Sequence, residues 1–227
     1  HGGLDWGIVK KQIVYYLGDL RAKVLVFEPA SSNIKYENPH YGVKRLDNDI
    51  EIIHNDEEKY PFMKIVDNEI YCKGNTDLLL SKRLSIVCGN SLSEKEVSAI
   101  VRIIEEIKIE NYAIVIGLNN KQHLELAKLL LEKEKKVILV IPYGITKFKY
   151  YAELGQYVDR FLVLSYVMPN QEFKRFEYIN SLKFRSEMAD VILYVNENVS
   201  DIKRDVEYLK HYDILYYVNF WIESVSR

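Results

Sequence analysis

Two cysteines, Cys72 and Cys88, are all that 227 residues carry, and neither belongs to a CxxC pair or a Cys/His cluster. That usage argues against a disulfide framework and a zinc site, and points to a reducing compartment. Cys88 closes an apolar stretch and reads as a small core residue. No apolar run reaches the 18 residues of a membrane span and no signal peptide is legible, so the cytoplasm is the expected location. An excess of either charge is missing too. The 31 Lys and Arg nearly balance 33 Asp and Glu, for a net charge of −2. A protein that coats nucleic acid through overall charge is thereby disfavoured, and any such binding must use a local patch.

What is present is an ordinary globular composition, 48% apolar and 28% charged, on a chain long enough for one sizeable core or a domain with an appendage. From Leu84 onward, short apolar bursts recur at Leu84–Cys88, Tyr112–Ile116, Val137–Ile141, Phe161–Ser165, Val191–Val195 and Ile214–Asn219. Each suits a buried parallel strand. Helical spacing fills the gaps: a first helix opened by the capping box Ser93/Glu96, a second over 121–134, a third over 147–157, a fourth over 171–187 with Phe173, Phe176 and Asn180 on one side, and a fifth from Ser200. Strands alternating with helices predict a doubly wound, mostly parallel α/β sheet of about six strands. Residues 83–227 form that domain in this reading. Residues 4–82 form a small irregular α+β region, with a helix over Asp5–Leu20, strands at Val24–Phe27 and Glu51–His54, and a hairpin over 64–74 turning at Asp67-Asn68.

Ligands of such sheets sit beyond the carboxyl ends of the strands, which here means loops 89–93, 117–122, 142–147, 166–172 and 196–200. Glycine is scarce in them. The first loop holds Gly89 beside Asn90 and Ser91, and the second holds Gly117. A backbone phosphate cradle ordinarily needs more, because a Cβ blocks close approach. Cations are better represented: Lys121, Lys147, Lys149, Lys174, Arg175, Lys183 and Arg185, interleaved with Tyr143, Phe148, Tyr150, Phe173 and Phe176. Cations for phosphates and flat rings for bases are what single-stranded nucleic acid requires. A solvated lysine face over a packed aromatic core explains the same pattern. His123 opens the second helix with no carboxylate or serine fixed beside it, and suits an exposed helix-start residue better than a general base. Asp159, Asp190, Glu197 and Asp201 have no metal-forcing spacing, and no serine sits in a glycine-flanked elbow. No enzyme, metal or cofactor is expected.

The segment "YPFMKIVDNEIYCKGNTDLLLSKRLSIVCGNSLS" (60–93) resembles the lead-in of the DNA-processing protein A family (DprA, also called Smf). There a Tyr-Pro precedes a strand ending in "KG", shortly before a "VAIVGSR" strand. "VIGLNNKQHLELA" (115–127) sits where that family has "VSGLARGIDAAAH". "LVLSYVMPNQEFKRFEYINSLKFRSEMADVILYV" (162–195) tracks "LLSEYPPG…FPRRNRIIAGLSDAVLVVEA". The similarity covers roughly residues 55–220 and implies a Rossmann-like domain that binds single-stranded DNA without catalysis, dimerises, and passes the strand to a RecA-type recombinase in DNA recombination and natural transformation.

The departures fall in the pocket. Family Gly-Ser-Arg becomes Gly89 and Asn90. Family Ala-Arg-Gly-Ile-Asp becomes Asn119-Asn120-Lys121-Gln122-His123, and the histidine closing that motif falls on Ala127. Arg-Asn-Arg of the fourth helix falls on Ser181-Leu182-Lys183. Three readings therefore stand at this point. The first is a divergent DNA binder using Gly89, Asn90, Ser91, Gly117, Asn120, Lys121, Lys147, Lys174, Arg175, Lys183 and Arg185. The second is a relative that takes a nucleotide-type ligand at Gly89 and Gly117. The third is an interaction scaffold, for which the aromatic tail around Tyr216, Tyr217, Phe220 and Trp221 offers a surface.

Overall fold

The structure, a computed structural model, describes residues 22–23, 25–28, 50–54, 56–61, 69–106, 111–195, 213–214 and 219–220. Eleven strands are described: β1 (Ala22–Lys23), β2 (Leu25–Glu28), β3 (Glu51–Ile53), β4 (Ile70–Gly74), β5 (Lys82–Cys88), β6 (Tyr112–Gly117), β7 (Lys136–Val140), β8 (Phe161–Ser165), β9 (Val191–Val195), β10 (Asp213–Ile214) and β11 (Asn219–Phe220). The helices are α1 (Glu94–Glu106), α2 (Lys121–Glu132), the one-turn α3 (Tyr151–Leu154) and α4 (Glu177–Met188).

Nine strands form one sheet in the order β10-β2-β9-β5-β6-β7-β8-β4-β3. The five central strands β9-β5-β6-β7-β8 are parallel, and β2, β10, β4 and β3 extend both sides in antiparallel register. The central strands read as continuous apolar runs because both faces are covered. Leu84, Ile86, Ile116, Leu139 and Val163 pack with Ile100 and Ile104 of α1 and Leu124 and Leu131 of α2. The alternate residues Val115, Ile138, Leu162 and Leu164 pack with Phe184 and Met188 of α4. The chain steps from β5 through β6 and β7 to β8 in one direction, then returns past β5 to β9 by way of α4. That return puts α4 on the opposite face and makes β5/β9 the reversal point of a Rossmann-like sheet.

Five of the six expected parallel strands are found. The sixth segment divides instead: Asp213–Ile214 pairs antiparallel with β2, and Asn219–Phe220 pairs with β1 in a separate two-stranded sheet. Residues before 83 supply β2, β3 and β4 to the main sheet. The helix over 5–20, the turn at 67–68, the helix from 200 and loop 196–200 lie outside the described residues.

The capping box holds: Ser93 N–H donates to Glu96 Oε2 at 2.8 Å, and Glu96 N–H donates to Ser93 Oγ at 3.1 Å. Two helices are shorter than their periodicity suggests. The third breaks into a 3-10 turn (Ile145–Lys147), α3 and a second 3-10 turn (Gly155–Tyr157). The fourth begins six residues later than expected, with Gln171 and Glu172 held by the loop after β7. Phe173, Phe176 and Asn180 are accordingly exposed, and Glu177, Ser181, Leu182, Phe184, Arg185, Ser186 and Met188 are the buried residues of α4.

Candidate nucleic-acid interface

Four of the described loops rise from the carboxyl end of the parallel strands, and they are built as two pairs. In the first pair, after β5 and β6, polar side chains at the start of α2 bind the backbone of the Gly89–Leu92 turn. His123 is 1% exposed. Its Nε2 donates to the Gly89 carbonyl at 2.9 Å, and its Nδ1 accepts the Asn119 N–H at 3.2 Å, which fixes the neutral tautomer. Asn120 caps α2, its Oδ1 accepting from His123 N–H at 3.2 Å, while its amide donates to the Asn90 carbonyl. Gln122 accepts from Leu92 N–H at 3.1 Å and donates to Leu92 O at 3.3 Å. A ligand phosphate would compete here with Gln122 for the Leu92 N–H and with Glu96 for the Ser93 N–H. Burial holds the imidazole pKa below the usual histidine value; the Gly89 carbonyl opposes this and the Arg185 charge adds to it. The expected exposed helix-start histidine is therefore a buried tie between two loops.

Gly117 is small for a long-range reason. A Cβ there would come within 2.5–2.9 Å of the Arg185 guanidinium. Arg185, 5% exposed, donates to the carbonyls of Ser181 (3.2 Å) and Ile86 (3.4 Å). It is an internal cation under the strand ends rather than a surface one, because α4 turns it toward the sheet.

In the second pair, after β7 and β8, the loops bind each other. Gly144 N–H donates to Gln171 O at 2.8 Å and Thr146 N–H to Pro169 O at 3.1 Å, while Thr146 Oγ1, with one proton to give, lies 2.7 Å from both Pro169 O and Asn170 Oδ1. A Cβ on Gly144 would collide with the Pro169 carbonyl, so glycine is required by the closeness of the two backbones. Ser165 Oγ donates to Tyr143 O at 2.7 Å from below. The buried Glu177 carboxylate accepts from the Tyr166 hydroxyl at 2.9 Å and from the side-chain amides of Gln171 and Asn180 at 3.4 Å. Burial, then the Glu177 charge, raises the Tyr166 pKa and keeps its proton in place. The Tyr166 ring stacks on Phe184 with centroids 4.5 Å apart.

This pinned platform holds apolar side chains out in solvent: Met168 is 68% exposed, Phe173 53% and Phe176 57%. Lys174 and Arg175 between the two rings are exposed, with Lys174 Nζ 5.9 Å from the Phe176 ring centroid. Lys147 and Lys149 are exposed on the neighbouring loop. Tyr143, Phe148 and Tyr150 instead pack on the core. The aromatic set therefore divides, three rings inward and two outward.

Of the residues singled out in the sequence, Gly89, Asn90, Ser91, Gly117, Asn120 and Lys121 gather at the first loop pair, and Lys147, Lys174 and Arg175 at the second. Lys183 is exposed but about 9 Å along α4 from the helix start. Gln122, Thr146, Met168 and Glu177 had no such reading. Only an Asn cap followed three residues on by a histidine hinted at the first network. Among the described residues no group of three or more His, Cys, Asp or Glu could hold a metal, and no helix is long and apolar enough to cross a membrane.

No family model matches the chain, and no curated protein matches it significantly. Similar solved structures include two DNA processing proteins. DNA processing protein A (DprA) from Streptococcus pneumoniae superposes with a TM-score of 0.58 at 19% identity, covering 71% of this chain and 61% of that one. DNA processing protein A from Helicobacter pylori, solved for its single-stranded DNA binding mode, gives 0.55 at 15% identity, covering 70% and 75%. The chain thus spans under two thirds of the pneumococcal protein, and shares its fold.

Proposed function

We propose that this chain binds single-stranded DNA, without a reaction of its own, on the platform formed by the loops after β7 and β8. One observation carries the reading: Phe173 and Phe176 stay more than half exposed, with Lys174 and Arg175 between them, on a segment held by backbone hydrogen bonds at Gln171 and from Lys174 into the first turn of α4. Exposed aromatic residues interleaved with cations provide stacking faces for bases and counter-charge for phosphates. The fold shared with two DNA processing proteins supports the same reading. The loop after β5 does not favour a nucleotide ligand, since Gln122 and Glu96 already hold the Leu92 and Ser93 N–H groups that a phosphate would use.

Lys147, Lys149, Lys174 and Arg175 supply three or four phosphate contacts in this proposal, and Lys183 a peripheral one. Binding to oligo-dT, followed by fluorescence anisotropy, then weakens with salt along a log–log slope of about −2 to −3. No binding at micromolar protein in about 50 mM salt would overturn the proposal and leave an interaction scaffold, whose apolar platform would then take a protein. A homodimer, and transfer of the strand to a RecA-type recombinase during recombination, complete the reading on the strength of the sequence resemblance. Light scattering of the purified chain, and co-sedimentation with recombinase on DNA, test those two parts separately.

A further inference from the structure

Glu172 lies inside the platform, next to Phe173, and its Oε1 is 2.6 Å from Lys147 Nζ across the two loops. A carboxylate at that distance meets the ammonium as a phosphate oxygen would. Both partners are reachable from solvent, the Lys147 side chain being 43% exposed and that of Glu172 77%. An ion pair so exposed is weak and readily exchanged. The loop backbone around it is fixed independently by Thr146 and Gly144. Loss of the pair therefore frees a cation without dismantling the platform.

Resting on the DNA-binding reading above, we infer that Glu172 is an internal competitor for the phosphate at Lys147, setting the affinity of the platform below what its cations would otherwise give. When a strand docks, the ammonium exchanges the carboxylate for a phosphate oxygen and Glu172 swings into solvent. The strand must displace a tethered anion, so the protein holds single strands loosely and releases them readily.

The test is a double-mutant cycle on the full chain with fluorescein-labelled oligo-dT between roughly 50 and 200 mM salt. Glu172→Gln should tighten binding about two- to fivefold, the worth of one exposed ion pair, while the log–log salt slope steepens by less than the roughly 0.7 of a full phosphate contact, because Lys147 meets the same phosphate in both proteins. In a Lys147→Ala background the same substitution should give no gain. Glu153→Gln, which removes an acid paired with Lys128 on another part of the surface, controls for bulk charge. Equal gains from Glu172→Gln with and without Lys147, or from Glu153→Gln, would reduce the effect to general electrostatics and overturn the inference. Wild-type binding that Glu172→Gln leaves unchanged sinks the inference alone. Failure of both proteins to bind sinks the DNA reading with it.

Discussion

The loops after β5 and β6 and those after β7 and β8 stand on the same end of one sheet, yet use their polar groups in opposite ways. In the first pair, side chains of Asn120, Gln122 and His123 satisfy the backbone of the turn that follows β5. That leaves a turn tied down to the start of α2, with Lys121 exposed beside it. In the second pair, backbone and small hydroxyl groups satisfy one another, and the larger side chains, Met168, Phe173, Lys174, Arg175 and Phe176, are left facing solvent. A strand end can keep its geometry while its binding groups are turned inward. The exposed surface, rather than the glycine turn, then indicates where a ligand fits.

The contrast is sharpest if mutations separate binding from stability. The largest effect is expected from Phe173→Ala with Phe176→Ala, roughly 1–3 kcal/mol of oligo-dT affinity per stacked ring. Urea unfolding of the same variant should move by no more than about 0.5 kcal/mol, since the rings are not core residues. His123→Ala reverses the pattern. Leaving the Gly89 carbonyl and the Asn119 amide without their partner should cost about 1–3 kcal/mol of stability, with oligo-dT affinity unchanged. A variant that lost both together would merge the two regions.

Acid should erode the His123 contribution. Burial depresses the folded-state pKa below the value of about 6.5 expected in the unfolded chain. The unfolded chain therefore takes up the proton first as pH falls. Stability from this group is complete above about pH 6.5 and is lost as pH falls toward the lower folded pKa. The urea-measured gap between wild type and His123→Ala should narrow over that interval, and a constant gap would mean the imidazole has the same pKa in the folded and unfolded chains. Gln122→Ala is the smallest perturbation, about 1 kcal/mol of stability for its two bonds to Leu92. Hydrogen exchange at the Leu92 amide should report it.

Much of the architecture was legible because buried parallel strands and a capping box are local signals. Tyr112–Gly117 carries no charged residue and Phe161–Ser165 is apolar up to its closing serine, and Ser93 with Glu96 marks the opening of α1. The misreadings came from contacts between residues far apart in sequence. Phe173 and Phe176 have the spacing of a buried helical face, but the loop after β7 captures the Gln171 carbonyl and α4 starts only at Glu177. Arg185 reads as another surface cation until Gly117, 68 positions earlier in the chain, is seen to leave room for its guanidinium. His123 looked incidental for the same reason, as its partner Gly89 lies in a different loop. Which rings and cations face solvent was a property of loop-to-loop bonding, and no periodicity encodes that.

Amide hydrogen exchange on the wild-type chain, with and without saturating oligo-dT, tests the central division most directly. Protection is predicted across 143–149 and 168–176, with exchange at 89–93 and 118–123 unaltered. Protection centred on 89–93 would contradict it, placing the strand in the turn that the structure closes with its own side chains.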